Sequence, residues 1–155
     1  MAIIIEEGSV HDLSRAYEIF RSAVHAINNG DYTKEQVEAW APLIPNVNRW
    51  EKRMRNNTVL LAKEGENIIG FAEYKKPGII DMLYIHSDYL NRGAASALLS
   101  KIDSIARSEE RKTLSGFISI TARTYFEKHG FEVSWDNKVE KDGQMLRNFL
   151  MIKQL

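Results

Sequence analysis

The stretch with the clearest chemical potential is Asn91-Arg92-Gly93-Ala94-Ala95, small and polar with one cation. It follows an apolar run, Ile79 to Ile85, and precedes Ala95, Leu98, Leu99, Ile102, Ile105 and Ala106, which recur at helical spacing. A helix start carries unpaired backbone N–H groups and a partial positive charge, and small side chains let an anion approach them. This loop can therefore cradle a phosphate. It can equally be an ordinary strand-to-helix connection with a glycine for the turn. One glycine is too few for a dinucleotide fingerprint, and no lysine follows a glycine run as in a P-loop. His11, His25, His86 and His129 lack His-x-x-x-His spacing, and no carboxylate cluster completes a site, so no metal is expected. The chain has no cysteine, which excludes a thiol nucleophile, a disulfide scaffold and a Cys-based zinc site. Gly-x-Ser-x-Gly is absent, so a serine hydrolase has no support.

The elements that must position these residues follow from pattern. A chain of 155 residues, 44% hydrophobic and 27% charged, suits one soluble domain with a real core. Lys plus Arg balances Asp plus Glu at 21 each, so no global field favours nucleic acid or an anionic membrane. The apolar run at Ile3-Ile4-Ile5 is too short for a signal peptide, no stretch approaches a membrane span, and a reducing cytoplasm is the expected location.

Ala2–Glu6 reads as a first strand. Ser9-Val10-His11-Asp12 and Thr33-Lys34-Glu35-Gln36 read as capping boxes ahead of two helices, and Asn48–Arg55 as a third. Thr58–Lys63, Ile68–Tyr74 and the run ending at Ile85 form an antiparallel meander. Ile69, Phe71 and Glu73 are expected on one face of its second strand. Asp81, Leu83 and Ile85 are expected on one face of the third, with Met82 and Tyr84 opposite. Lys75-Lys76-Pro77-Gly78 suits a type II turn with Pro77 and Gly78 at its centre. A helix then crosses to Thr113–Ile120, which should lie parallel to the third meander strand. Thr121–His129 is a short helix ended by Gly130. Phe131–Trp135 and Met145–Ile152 close the sheet around a polar loop, Asp136–Gly143. The order β-α-α-α-β-β-β-α-β-α-β-β describes an α/β (α+β) mixed, mostly antiparallel sheet flanked by helices.

Two segments carry a family resemblance. Leu90-Asn91-Arg92-Gly93-Ala94-Ala95 resembles motif A of the GNAT superfamily of N-acetyltransferases, Gln/Arg-x-x-Gly-x-Gly/Ala before an amphipathic helix. Gly93 and Ala95 match; Leu90 stands where Gln or Arg is usual. Thr121-Ala122-Arg123-Thr124-Tyr125-Phe126-Glu127-Lys128-His129-Gly130-Phe131 resembles the family's Ala-x-x-x-Tyr-x-x-x-Gly-Phe segment. The resemblance implies a single GNAT-type domain over residues 1–155, with its one parallel strand pair splayed at the centre. It also implies acetyl-CoA, or another acyl-CoA, as donor. The diphosphate would lie on the loop Leu90, Asn91, Arg92, Gly93, Ala94, Ala95 and Ser96, held by the N–H groups of Arg92 to Ser96. The pantetheine arm would run beside Leu83, Tyr84 and Ile85. A backbone N–H near Tyr84 or Ile85 would polarise the thioester carbonyl. Leu90 in place of Gln or Arg removes a side-chain contact and implies weaker CoA binding. Ser119 would bond the pantetheine arm or cap the following helix, and Arg123 would pair with a CoA phosphate or with solvent.

For transfer to a primary amine of a small molecule or peptide, in a ternary complex, the ammonium must lose a proton. Glu73 and Asp81 are the candidate bases; a salt bridge or a solvent-facing acid is the other reading of each. The family's usual tyrosine acid falls at Phe126, beside the cofactor. Either the adjacent Tyr125 serves, or CoA leaves as thiolate without a side-chain acid. His25, Tyr32 and Trp40 are candidates to line the acceptor cleft, or to serve as partly buried structure. A non-catalytic acyl-CoA-binding module is the competing class. A homodimer through an edge formed by the last strand is possible.

Overall fold

The structure is a computed structural model that describes residues 2–155. Its elements are β1 (Ile3–Glu7), α1 (Leu13–His25), α2 (Lys34–Trp40), α3 (Val47–Asn56), β2 (Thr58–Glu64), β3 (Asn67–Lys75) and β4 (Ile79–Ile85). They continue with α4 (Ala94–Ser108), β5 (Thr113–Ser119), α5 (Arg123–Glu127), β6 (Glu132–Lys141) and β7 (Gln144–Gln154). The strands form one mixed sheet in the order β1-β2-β3-β4-β5-β7-β6. Every pair is antiparallel except β4–β5. Among the described residues no helix is long and apolar enough to cross a membrane.

Both expected capping boxes form. Ser9 and Asp12 bond reciprocally at a 3-10 turn that runs into α1, and Thr33 and Gln36 do so at α2. Each face of the sheet has its own core. Leu98, Leu99, Ile102 and Ala106 of α4 pack on Leu60, Ile69, Ala72 and Ile80. On the other face Ile19, Phe20 and Val24 of α1 join Trp50 and Met54 of α3 over Val59, Leu61 and Phe71. The apolar stripes of α1 and α4 thus cover opposite sides of β2–β4.

Four local expectations change. Asp136–Lys141 is not a loop: it continues β6, and the turn is only Asp142-Gly143, with φ of 44° and 80°. Positive φ at both central residues is what a two-residue hairpin needs, and Asp-Gly supplies it. The polar composition of Asn137 to Lys141 hid a period-2 alternation in which Asn137, Val139 and Lys141 turn inward. Consequently β7 is interior and β6 is the edge, so the last strand offers no edge for dimer pairing. The turn into β4 is not type II: the Lys76–Pro77 peptide is cis, and Gly78 N–H closes onto Lys75 C=O at 3.1 Å.

The fourth change concerns strand faces. Glu73 pairs with Met82 but Tyr74 pairs with Ile80, leaving Asp81 as an extra residue in a β-bulge. Asp81 therefore leaves the face of Leu83 and Ile85, which pack toward α4, and joins Glu73 toward α3. A second irregularity beside Ala62–Lys63 puts Ile69 into the α4 core, while Phe71 stays on the opposite face.

Candidate active site

The parallel pair β4–β5 is held in register only at Ile79↔Ser115. Beyond it the strands part, because β5 stays with β7 along its whole length from Thr113 to Ser119. The gap opens a cleft of about 450 Å³. Its walls are Ile80 to Ile85 of β4, Phe117 to Ser119 of β5, Phe126 of α5, the end of α1 with Tyr32 and Trp40, and Val139, Lys141 and Leu146 of the β6–β7 hairpin. The β4 edge from Ile80 to Ile85 faces this space without a strand partner on that side.

One end of the cleft reaches Leu90, which is half-exposed on the loop leading into α4. There Asn91 and Gly93 both adopt left-handed backbone, at φ of 61° and 86°. The first intrahelical bond is Ala97 N–H to Gly93 C=O at 3.0 Å, so the N–H groups of Ala94, Ala95 and Ser96 precede the ladder. A Cβ placed on Gly93 would meet nothing within 4 Å, which leaves open space at the positive end of a 15-residue helix. The Arg92 side chain turns elsewhere. Its guanidinium donates to Glu64 Oε1 at 2.7 Å and lies 5.0 Å over the Tyr89 ring. An approaching anion would meet main-chain donors.

On the α3 side of the sheet the two candidate carboxylates converge. Asn57 Nδ2 donates to Glu73 Oε1 at 3.1 Å and to Asp81 Oδ2 at 3.0 Å. Arg53 Nε stands 3.6 Å from the same Asp81 oxygen. Asp81 is on the cleft wall. Glu73 is wholly buried, and its Oε2 has no partner. Burial pushes the Glu73 carboxyl up to about 7; the Asn57 hydrogen bond and the Arg53 charge oppose that rise, and the Asp81 charge adds to it. Asn57, at the end of α3, and Arg53 are site residues that sequence reasoning missed, because neither lies in a recognisable motif.

The other candidates are distributed as follows. Tyr32 and Trp40 stack edge-on at 5.3 Å, with Trp40 6.4 Å from Tyr84, and all three line the cleft. The Tyr32 hydroxyl donates to Arg147 C=O at 2.6 Å and accepts from Ile120 N–H at 2.9 Å, which ties α2's approach to β5 and β7. His25 is outside the wall; its Nε2 meets Ala41 C=O at 2.8 Å. Ser119 is on the wall and also accepts from Ala122 N–H at 3.1 Å, so it caps α5. Phe126 is buried on the wall and packs on Phe131 at 5.1 Å. The Tyr125 hydroxyl is directed instead to Ser96 Oγ, at 2.7 Å in the first turn of α4, and its ring stacks on His129 at 4.3 Å. Arg123 lies 4.8 Å over the Phe149 ring and 3.5 Å from Glu127. Lys141, missed by the sequence reading, faces the cleft because the Asp-Gly turn extends β6 to reach it.

Known proteins with this arrangement define its class. The family described as acetyltransferase (GNAT) domain matches residues 28–153. This chain belongs to that family of acetyltransferases. The uncharacterized N-acetyltransferase YafP of Escherichia coli strain K12 is 32% identical over 140 residues, covering 90% of this chain and 88% of its own. A GCN5-related N-acetyltransferase from Rhodopseudomonas palustris superposes with a TM-score of 0.95 at 28% identity, over 100% of this chain and 97% of that one. The fold is also that of the PaiA N-acetyltransferase from Thermoplasma acidophilum, solved in complex with coenzyme A, with a TM-score of 0.80 at 21% identity over 100% of both chains.

Proposed function

We propose that residues 1–155 act as one catalytic domain, an N-acetyltransferase that moves an acetyl group from acetyl-CoA to a primary amine of a small molecule or peptide. The carrying observation is the parting of β4 from β5. The resulting cleft runs from the loop before an open helix start suited to a diphosphate, along a free strand edge suited to an extended amide-bearing arm, to Asp81 on its wall with Glu73 buried behind it. The coenzyme A complex of the structurally similar Thermoplasma protein supports the donor.

In this reading the N–H groups of Ala94, Ala95 and Ser96 hold the diphosphate, with Asn91 and Gly93 setting the loop. The free edge of β4 near Leu83, Tyr84 and Ile85 pairs with the pantetheine amides, and one of its N–H groups faces the carbonyl oxygen as negative charge develops there. Ser119 and Phe126 border the thioester, and Tyr32 and Trp40 shape the acceptor side. The amine nitrogen attacks the carbonyl carbon, a C–N bond forms, and the C–S bond breaks. Asp81, on the wall, receives the amine proton through water. Glu73 acts behind it, held to it through Asn57. CoA departs as thiolate, which a thiol pKa of about 8.5 permits without a side-chain acid. Tyr125 serves the helix start through Ser96.

Calorimetry with acetyl-CoA on wild type and Gly93→Glu, with CoA release followed over an amine panel, tests this. The expected result is binding by wild type, none by the folded variant, and release with at least one amine. Absence of binding by folded wild type overturns the assignment. Binding without release on any acceptor favours an acyl-CoA-binding module.

A further inference from the structure

The hairpin wall of the cleft presents one cation that no carboxylate contacts directly. Lys141 is half-buried on that wall, and among the described residues it forms no ion pair. Burial first, then the guanidinium charges of Arg49 and Arg53, push its ammonium toward losing its proton, and the nearby Asp142 charge only partly opposes them. Of the other cations near this end, Arg49 is off the cleft wall, and Arg53 and Arg147 already face carboxylates. Arg53 is held on Asp81 and lies 5.5 Å over the Trp50 ring, while Arg147 is held on Asp136 at 2.7 Å. A partly desolvated ammonium without an anion is costly, and the arrival of an anion relieves that cost. Across the cleft stands Asp81, and its charge also acts on Lys141. The same cleft wall also carries an apolar and aromatic surface of Trp40, Tyr84, Val139 and Leu146.

A cleft wall with one carboxylate, one ammonium without an ion-pair partner and an apolar surface complements an acceptor carrying charges of both signs and an apolar side chain. We propose that Lys141 anchors a carboxylate on the acceptor, so that the substrate is an amino acid with an apolar side chain rather than a simple amine or a polyamine. This rests on the acetyl-transfer reading for the placement of the amine near Asp81. A polycationic acceptor would bring its second charge toward Lys141, Arg49 and Arg53 and be repelled.

The test compares molecules that differ only by the carboxylate: L-leucine with 3-methylbutylamine, and L-phenylalanine with 2-phenylethylamine, with spermidine as the polycation. CoA release is measured at saturating acetyl-CoA for wild type, Lys141→Met and Lys141→Arg, each checked for native melting. In parallel, calorimetry in the presence of CoA measures N-acetyl-L-leucine and N-(3-methylbutyl)acetamide. In wild type kcat/KM favours each amino acid over its amine by about tenfold or more, as a single desolvated charge contact warrants. Lys141→Met brings the ratio within about twofold, Lys141→Arg keeps most of it, and spermidine is the poorest acceptor. Equal use of acid and amine, or a preference that survives Lys141→Met, overturns the proposal while leaving acetyl transfer intact. If no amine releases CoA but N-acetyl-L-leucine still binds through Lys141, the anion subsite stands and acetyl transfer falls. If neither product analogue binds preferentially and nothing turns over, both fall.

Discussion

Replacing Glu73 with glutamine converts a buried acid into a fixed neutral group, and the effect on stability must depend on pH. The Glu73 carboxyl is raised from 4.5 to about 7 in the folded chain, chiefly by burial. Below pH 4.5 the acid is protonated in both states. As pH rises past 4.5 the unfolded chain ionises, while the folded chain holds its proton until about pH 7. The folded state binds more protons over that window, so stability falls with rising pH and stays lower above it. At 1.36 kcal/mol per pKa unit the full loss is about 3 kcal/mol, most of which falls between pH 5 and pH 8. The glutamine of Glu73→Gln retains an oxygen to accept from Asn57 and puts an amide where Oε2 lacks a partner, much as the protonated acid does. Its fixed cost, about 1–3 kcal/mol for a buried donor without a partner, does not change with pH. Urea unfolding of both proteins at pH 5, 6, 7 and 8 isolates the changing part. The variant should gain on wild type by about 2–3 kcal/mol from pH 5 to pH 8. Stability curves that run parallel across this range would falsify the account of Glu73 as a carboxyl whose ionisation is resisted by its surroundings.

Two further outcomes concern the reaction. Asp81→Asn keeps an oxygen for the Asn57 hydrogen bond but cannot take a proton, so kcat/KM for the amine should drop by about 10²–10³ while calorimetric affinity for acetyl-CoA stays within about threefold; a variant as active as wild type removes Asp81 from proton transfer. Tyr125→Phe loses only the bond to Ser96 Oγ, so kcat should remain within about twofold and KM for acetyl-CoA should rise a few-fold; a kcat loss of about 10² or more would restore the tyrosine as the acid serving CoA sulfur.

The architecture was largely legible because the signals that build it are local. Capping boxes at Ser9 and Thr33, helical stripes in α1 and α4, and the meander turns each declare themselves within a few residues. The helix start at Gly93 and the aromatic pair Tyr32–Trp40 were also readable, since loop chemistry and ring content survive small errors in boundaries. What escaped were consequences of register. The inward turn of Lys141 depends on counting back from an Asp-Gly turn hidden in a polar stretch. Asn57 joins Glu73 and Asp81 only because α3 ends beside two strands that meet at long range. His25 takes the second of its two expected roles, partly buried structure, with its ring on Ala41 C=O near the end of α1.

The bulge at Asp81 explains how β4 can present a carboxylate to the cleft and still pack Leu83 and Ile85 against α4. A regular strand would have set Asp81 on the face of Leu83 and Ile85, toward Leu98 and Ile102 of α4. An ionised carboxylate without partners in that core would cost several kcal/mol, and its protonated form would have no use as a base. One extra residue between Ile80 and Met82 moves the carboxylate to the α3 side, where Asn57 and Arg53 supply donors, and leaves Leu83 and Ile85 to anchor the strand. Because the same irregularity lies next to Ile79↔Ser115, where β4 and β5 last pair, the charge arrives at the mouth of the split rather than inside a closed ladder. The bulge thus sets the carboxylate where the free strand edge and the opening begin. A deletion that restored regular pairing through β4 would turn a carboxylate at this position back toward α4 and away from Asn57 and Arg53.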